Sequence, residues 1–228
     1  MRAAVMLLII GAPSLFPQSF DPYDAILRLR VQSGVPAQIA LAQAYYLVRQ
    51  YRLFERTLTQ VIAAEPSNPT PHFLLGRYQD SVLNDFPAAE NSFRKVLARD
   101  PNHREAHYYL GNALEAQGRA DEARDHYLKS QPLPLARNGL ARLALAANDP
   151  TAALAADPPE AKLRGRIFLR LRRFPEAITA LRAAAAADST DASVHYQLYR
   201  AHTQLNKKAE AATALAAFQR LSALYGSQ

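Results

Sequence analysis

The chain has 228 residues and a formal net charge of +7, and 49% of its residues are hydrophobic. It contains no cysteine, which excludes a disulfide framework, a thiol nucleophile and a thiolate metal site. Only 8 glycines, together with frequent alanine, favour helix over sheet. The length suits one large domain or a stack of small units, and the positive charge permits anionic partners without identifying them.

The first residues are typical of a secretory leader. Met1 and Arg2 provide a positive charge, an apolar run follows, and glycine, proline and serine come after it. The apolar stretch from Ala3 to Phe16 is too short and too interrupted by proline to span a bilayer. We therefore expect a leader at residues 1–19 and an exported mature chain, periplasmic or extracellular, that has no membrane span. The alternatives are an uncleaved N-terminal membrane anchor and a misassigned start codon.

A single helix is predicted next, within residues 20–34. Pro22 suits the first turn of this helix, which runs to about Gln32, and Ser33 and Gly34 end it. A lone helix before a stack of repeated units covers the apolar face of the first unit. We therefore interpret residues 20–34 as an N-terminal capping helix.

The stretch from Arg104 to Gln131 has the clearest pattern in the chain. It reads as two amphipathic helices that meet at Gly118, which ends the first helix because glycine readily adopts a left-handed backbone. Apolar residues recur at helical spacing on both sides of this glycine. They are Ala106, Tyr109, Leu110, Ala113 and Leu114 before it, and Ala120, Ala123 and Tyr127 after it.

This pattern resembles the tetratricopeptide repeat (TPR) family. The family's spaced signature is matched by Leu110, Gly111, Gly118, Ala123 and Tyr127, whereas His107 replaces the usual tryptophan. The resemblance implies an all-α fold, an α-solenoid of antiparallel helix pairs in a right-handed superhelix. The pairs must stack because each is too small to bury its own apolar face.

The pattern recurs about six times before a short tail at residues 226–228. The second unit carries one extra residue in its inter-helix turn, near Asn84 and Asp85. The second helix of the fourth unit must stop before Pro158, which makes it about two turns shorter than its neighbours. The predicted units of this TPR solenoid are 35–68, 69–103, 104–133, 134–157, 158–191 and 192–225.

No catalytic or cofactor motif is present in the sequence. It contains no nucleophile elbow, no phosphate-cradling glycine loop and no metalloprotease His-Glu-x-x-His. His103 and His107 have the i, i+4 spacing of some zinc ligands. However, His107 shares position four of its repeat with His72 and His195, where the family packs a large side chain between helices. We therefore predict no enzyme activity, no metal and no cofactor.

The functional hypothesis is based on two positions of each predicted repeat. The resemblance implies that positions five and nine of the first helices line a concave groove. Position nine is occupied by Gln43, Arg77, Asn112, Arg142, Arg166 and Arg200. From both positions we predict a peptide-binding groove formed by Phe73, Arg77, Tyr108, Asn112, Arg142, Arg166, Tyr196 and Arg200.

Four arginines with interleaved aromatic residues suit an extended protein or peptide segment that carries carboxylates. A guanidinium binds a carboxylate bidentately, and aromatic rings add contact area and cation–π support. One alternative is that these arginines only keep the surface soluble or pair with residues such as Glu105 and Glu115. Another is a basic surface for an anionic polymer such as envelope polysaccharide, lipid head groups or nucleic acid. Nucleic acid is the least favoured of these, because the sequence contains no established nucleic-acid motif. The sequence indicates neither the identity of a partner nor the oligomeric state.

Overall fold

A computed structural model describes residues 21–225, which form thirteen α-helices and no strand. This confirms the all-α prediction. The predicted leader and tail lie outside the described residues. The helices are α1 Pro22–Leu29, α2 Val35–Leu47, α3 Tyr51–Ala64, α4 Pro69–Tyr78, α5 Phe86–Arg99, α6 Arg104–Ala116, α7 Ala120–Lys129, α8 Pro134–Ala146, α9 Pro150–Ala155, α10 Ala161–Arg170, α11 Phe174–Ala187, α12 Ala192–Gln204 and α13 Lys208–Tyr225.

Proline and short polar side chains decide where many of these helices begin. Proline occupies one of the first two positions of seven helices, where its missing N–H breaks no helical hydrogen bond. The side chain of the preceding residue often accepts a hydrogen bond from a backbone N–H of the first turn, which caps the helix. These caps are Asp21, Asn68, Asp85, His103, Asp149 and Asp191.

The turn inside each predicted helix pair contains one residue with a left-handed backbone. Its φ lies between 53° and 77° in all six turns, yet glycine occupies only one of them. Asparagine tolerates this conformation better than most residues, whereas arginine is strained by it. The six residues are Arg49, Asn84, Gly118, Asn148, Arg172 and Asn206.

The chain divides into two compact units, Met1–Gln117 and Gly118–Gln228. In the first unit α1 packs on α2, and α2 with α3 and α4 with α5 form two helix pairs. Its core is apolar and includes Ile26, Leu41, Tyr45, Phe54, Leu58, Leu74 and Tyr78. Gly76 allows α4 to approach α5, because a Cβ at this position would lie 2.9 Å from the ring of Phe93.

The extra residue of the second repeat lies in a helix and not in the predicted turn. Residues Gln79–Leu83 form a π-helical turn that continues α4, and only Asn84 and Asp85 separate it from α5. A π-helical turn accommodates one additional residue without ending the helix. The prediction of an insertion near Asn84 and Asp85 is therefore wrong in position by a few residues.

The second unit contains α7 to α13. One apolar cluster joins α8, α9 and α10 through Ala141, Ala153, Leu163 and Ile167, and another joins α11 and α12 around Leu181, Val194 and Leu198. Helix α9 has 6 residues, against 10 in α7 and 14 in α11, so the fourth unit is shortened as predicted, by about one turn relative to the third unit and about two relative to the fifth.

Among residues 21–225, no helix combines the length and the hydropathy needed to cross a membrane.

Candidate functional site

Arg77, on α4, is a charged residue enclosed by the first unit. It is 9% exposed, and its guanidinium carbon lies 4.8 Å from the centre of the Tyr109 ring. Its buried Nε has no hydrogen-bond partner in the described part of the chain. A buried donor without an acceptor costs about 1–3 kcal/mol, so such a group calls for a functional or structural explanation.

Asp80 lies three residues after Arg77, in the π-helical turn, and is half-buried. Burial raises the pKa of its carboxyl group, and the nearby positive charge of Arg77 only partly opposes this effect. Within residues 21–225 the two side chains do not form an ion pair. A guanidinium and a carboxylate are thus held close together in a poorly hydrated place without satisfying each other.

Polar side chains of the π-helical turn attach it to the neighbouring helices. Ser81 donates a hydrogen bond of 2.7 Å to the carbonyl oxygen of Arg77, and its Oγ lies 3.4 Å from the Tyr46 hydroxyl on α2. Gln79 accepts a hydrogen bond of 2.7 Å from Ser92 on α5. These bonds fix the end of α4, and with it the backbone that carries Arg77.

The guanidinium of Arg77 lies beside an aromatic cluster, which it contacts through the ring of Tyr109. The Phe73 ring lies 5.1 Å from His103 and 5.8 Å from Tyr109, measured between ring centroids. Tyr109 stacks on Phe93 at 5.7 Å, and burial raises the pKa of its hydroxyl. The neutral ring of Tyr109 therefore presents its face to Arg77, an arrangement that stabilises a cation by roughly 0.5–2 kcal/mol.

The structure brings three of the four predicted residues of the first unit together. Phe73, Arg77 and Tyr108 all surround Tyr109, and Tyr108 lies 5.0 Å from it. Tyr108 is 9% exposed, so it and Arg77 are more enclosed than the wall of an open groove would be. Asn112 is half-buried and lies one turn after Tyr108 on α6.

The four predicted residues of the second unit have different surroundings. Arg142 donates a hydrogen bond of 3.0 Å to the hydroxyl of Tyr127, a fully buried residue. Tyr196 is 43% exposed, and its ring lies 5.2 Å from that of Phe218 on α13. Arg166 on α10 and Arg200 on α12 are exposed and form no ion pair with the described residues. The prediction that all eight residues line one groove stays a prediction.

The two histidines with zinc-like spacing serve local structure. His103 Nδ1 accepts a hydrogen bond of 3.2 Å from the N–H of Ala106, which caps α6. His107 Nε2 lies 2.9 Å from the carbonyl oxygen of Pro101. In the described part of the chain, no group of three or more His, Asp and Glu side chains is arranged to hold a metal ion.

Comparison with known families gives the chain its classification. A family model described as tetratricopeptide repeat matches residues 82–134 and 162–225, which together are just over half of the chain. The chain belongs to the tetratricopeptide repeat family. TPR proteins are in general non-catalytic protein-interaction scaffolds, and the match supports that general role for this chain. No match was found among curated proteins.

Solved TPR structures show the same fold. A chain of the APC/C hetero-tetramer Cut9–Hcn1 matches with a TM-score of 0.77 and 16% identity, over 88% of this chain and 43% of that chain. This TPR chain therefore spans less than half of that relative. PilF of Pseudomonas aeruginosa matches with a TM-score of 0.71 and 18% identity, over 91% of this chain and 95% of that chain. The type IV pilus biogenesis factor PilW matches with a TM-score of 0.71 and 17% identity, over 87% and 96%. At these identities the likeness is one of fold alone.

The predicted groove does not include two residues that lie close to Arg77, namely Tyr109 and Asp80. The helical spacing places Tyr109 among the apolar residues of its TPR unit, and it packs on Phe93 there, but its ring also supports Arg77. Asp80 lies three residues after Arg77 and so on the same helical face, a spacing that identifies it as a neighbour.

Gln43 has the position in the first TPR unit that Arg77 has in the second. It is 5% exposed, and its buried Oε1 also has no partner among the described residues.

Proposed function

We propose that this TPR chain is a non-catalytic scaffold that binds an extended acidic segment of a partner protein along its first helices, with Arg77 as one anchor. The observation that carries the proposal is the enclosed guanidinium of Arg77, whose Nε lacks an acceptor in the described part of the chain. The buried Nε is closed to a partner, so we infer that a carboxylate of the partner binds the part of the guanidinium that remains accessible and neutralises its charge.

The energetics favour a charged acceptor at Arg77. A hydrogen bond to a charged group contributes about 1.5–3 kcal/mol, roughly twice as much as a neutral one. Tyr109 already supports the guanidinium from one side, so little side-chain entropy remains to be lost when an anion binds. Asp80 opposes an anion at this place. Its raised pKa means that it accepts a proton more readily than an ordinary aspartate when a second carboxylate approaches.

The second unit supports an anionic partner independently. Arg166 and Arg200 lie on the first helices of two successive predicted repeats, both exposed and without ion pairs to the described residues. Exposed arginines of this kind attract acidic segments over a distance of about 10 Å at moderate salt.

The cellular place is a proposal as well. The positive charge at Arg2 and the apolar run that follows support export of the chain to the periplasm or the cell exterior, or retention by an N-terminal anchor. Fractionation of the producing cells distinguishes these outcomes from residence in the cytoplasm.

The test is a selection of peptides by the full chain. A displayed library of random 12-residue peptides is panned against the wild type and the variant Arg77→Met/Asp80→Asn. The variant removes one positive and one negative charge, so its net charge is that of the wild type. The control, Arg28→Met/Asp24→Asn, removes an exposed ion pair on α1 and likewise leaves the net charge of the protein unchanged.

We expect the wild type and the control to enrich peptides rich in Asp and Glu, and the Arg77 variant to lose that enrichment. Equal enrichment by all three proteins would exclude Arg77 as the anchor. A wild type that enriches no acidic peptides would contradict the proposed function. Binding that tolerates scrambling of the peptides and disappears steeply with salt would favour the anionic-polymer alternative.

A further inference from the structure

The second unit contains an open cleft with a volume of about 470 Å³. It lies between the end of α10, the turn that follows, and the last two turns of α12. This volume is within the range of small-ligand pockets, which is roughly 300–1,000 Å³. The cleft is lined by Leu169, Arg172, Phe174, Tyr199, Arg200, Thr203 and Gln204.

Two arginines at this cleft have no partner within residues 21–225. Arg172 and Arg200 are both exposed, and neither forms a side-chain hydrogen bond or an ion pair there. Neighbouring arginines behave differently. Arg173 bonds to Glu176 at 2.9 Å and lies over a phenylalanine ring, and Arg170 bonds to Asn148 at 3.3 Å. The two guanidinium groups at the cleft are thus available to an external anion.

Arg172 occupies a position where arginine is conformationally unfavourable. Its φ is 57°, and asparagine holds the equivalent position in three of the other turns. Most side chains are strained by about 1–2 kcal/mol in this conformation. All six inter-helix turns have this conformation, so the backbone at Arg172 follows from the turn, and only its exposed side chain indicates a ligand.

The rest of the cleft wall is partly apolar. Leu169, Phe174 and Tyr199 are half-buried and present carbon surface beside the arginines. Thr203 already donates its hydroxyl proton to the carbonyl oxygen of Tyr199 at 2.8 Å. The exposed amide of Gln204 adds a further hydrogen-bond donor. The ligand that fits this wall carries an anionic group and an apolar group side by side.

We propose that this cleft is a binding site for an acidic side chain and an adjacent apolar side chain of the partner segment. Arg172 and Arg200 bind the carboxylate, and the apolar side chain packs against Leu169, Phe174 and Tyr199. The inference rests on the proposed function in that the ligand is a protein segment, and it assigns the chemistry that the second unit recognises.

A continuing segment fits better than a chain end. Arg166 lies three residues before Leu169 and so on the same face of α10. It is also exposed and free of ion pairs with the described residues. The positive surface therefore continues past the cleft, and a segment that passes through can place a second carboxylate there.

The experiment uses the full chain and short blocked peptides. A fluorescent octapeptide of Gly and Ser with a central Glu-Leu pair, acetylated and amidated, is titrated at low salt and followed by fluorescence anisotropy. Three further peptides replace Glu by Gln, separate Glu from Leu by four residues, or carry Leu with a free C-terminal carboxylate and no Glu. Each is titrated against the wild type and Arg172→Gln/Arg200→Gln. The matched control is Arg124→Gln/Arg220→Gln, in which both changed arginines are exposed, lie on α7 and α13, and do not line the cleft.

The expected result is that the Glu-Leu peptide binds the wild type and the control equally. Its affinity should fall by about tenfold or more for the cleft variant, which corresponds to the loss of one charge-assisted hydrogen bond. Circular dichroism checks that the variants remain folded. The Arg77→Met/Asp80→Asn variant should bind this peptide like the wild type, so that failure at the cleft and failure at Arg77 are seen separately.

Three results would overturn the cleft assignment. One is an absence of binding by the Glu-Leu peptide, and another is equal binding by the cleft variant and the control. The third is equal or tighter binding of the peptide with separated residues or of the peptide with only a terminal carboxylate. The first would show that the cleft has no affinity for this chemistry, the second that Arg172 and Arg200 do not bind the peptide, and the third that charge alone or a chain end is recognised.

Discussion

The variant Arg77→Met/Asp80→Asn separates a binding role of Arg77 from a structural one by its effect on stability. If the guanidinium mainly stabilises the fold, removing it together with the charge of Asp80 lowers the free energy of unfolding. If it is kept for a partner, the variant folds as well as the wild type or better, because proteins often retain poorly satisfied groups at functional sites at the expense of stability.

The expected magnitude follows from the contacts of Arg77. Removing a buried Nε without an acceptor relieves about 1–3 kcal/mol. The loss of the interaction with Tyr109 costs roughly 0.5–2 kcal/mol, and a methionine sulfur on the same ring returns about 0.3–1.5 kcal/mol. Asparagine at position 80 removes a carboxylate whose raised pKa shows that burial disfavours its charge. We expect a free energy of unfolding between that of the wild type and about 2 kcal/mol above it.

The assay is urea unfolding of both full-length proteins at neutral pH, followed by circular dichroism. A repeat protein can unfold in more than one step, so the transition that contains the first unit is compared between the two proteins. A loss of more than about 2 kcal/mol in the variant would refute the reasoning. That size of loss is typical of breaking a buried network that the fold itself needs.

Three further predictions concern single positions. Asp80→Asn alone should raise the melting temperature at neutral pH, because burial raises the pKa of Asp80 and the fold is less stable once this group has lost its proton. The difference should shrink as the pH falls from the raised pKa of Asp80 to the ordinary pKa of an aspartate, below which the group is protonated in both the folded and the unfolded chain. A constant difference in a pH series would contradict this. Gly165→Ala should lower the free energy of unfolding by about 1–2 kcal/mol in urea titrations. Its Cβ would lie 2.6 Å from Leu181 Cγ, and overpacking outweighs the gain of about 1 kcal/mol in helix propensity. A more stable variant would show that α10 and α11 can move apart freely. Arg49, with φ of 60°, should tolerate replacement by Asn better than by Val by about 1 kcal/mol or more in melting experiments, and equal stability would argue against a left-handed turn.

Much of the fold is accessible from sequence because proline and small residues limit the alternatives. Pro158 and the asparagine–aspartate turn before α9 leave room for only a short helix, and the structure has one of 6 residues. Gly165 leaves space for a large side chain of the partner helix, and Leu181 fills it. These local rules depend on side-chain size and on the backbone preferences of proline and glycine. Both can be read from a single sequence.

The position of the inserted residue was not predictable in the same way. An extra residue can lengthen the turn between two helices, or it can be absorbed in a π-helical turn. The hydrogen bonds of such a turn span one residue more than those of an α-helix. Ser81 and Gln79 favour the π-helical turn through bonds to Tyr46 and Ser92, which lie far away in sequence. Contacts of this kind follow from the tertiary packing and leave no periodic signal.

The candidate site was predicted only in part for a similar reason. Repeat position identified Arg77 and Phe73, but the enclosure of Arg77 depends on Tyr109, which approaches from the next first helix. At the other end, Arg200 was predicted from its position, whereas Arg172 was not. Arg172 lies in a turn, outside the helical positions from which the groove was read, and only the structure places it on the same cleft.

The most direct test of a partner carboxylate at Arg77 is a double-mutant cycle. An acidic peptide from the library selection is measured against the wild type and Arg77→Met/Asp80→Asn, with each of its Asp or Glu residues changed in turn to Asn or Gln. We predict one acidic residue whose coupling to Arg77 and Asp80 is about 1.5–3 kcal/mol, the range of a charge-assisted hydrogen bond. Coupling near zero for every acidic residue of the peptide would contradict it.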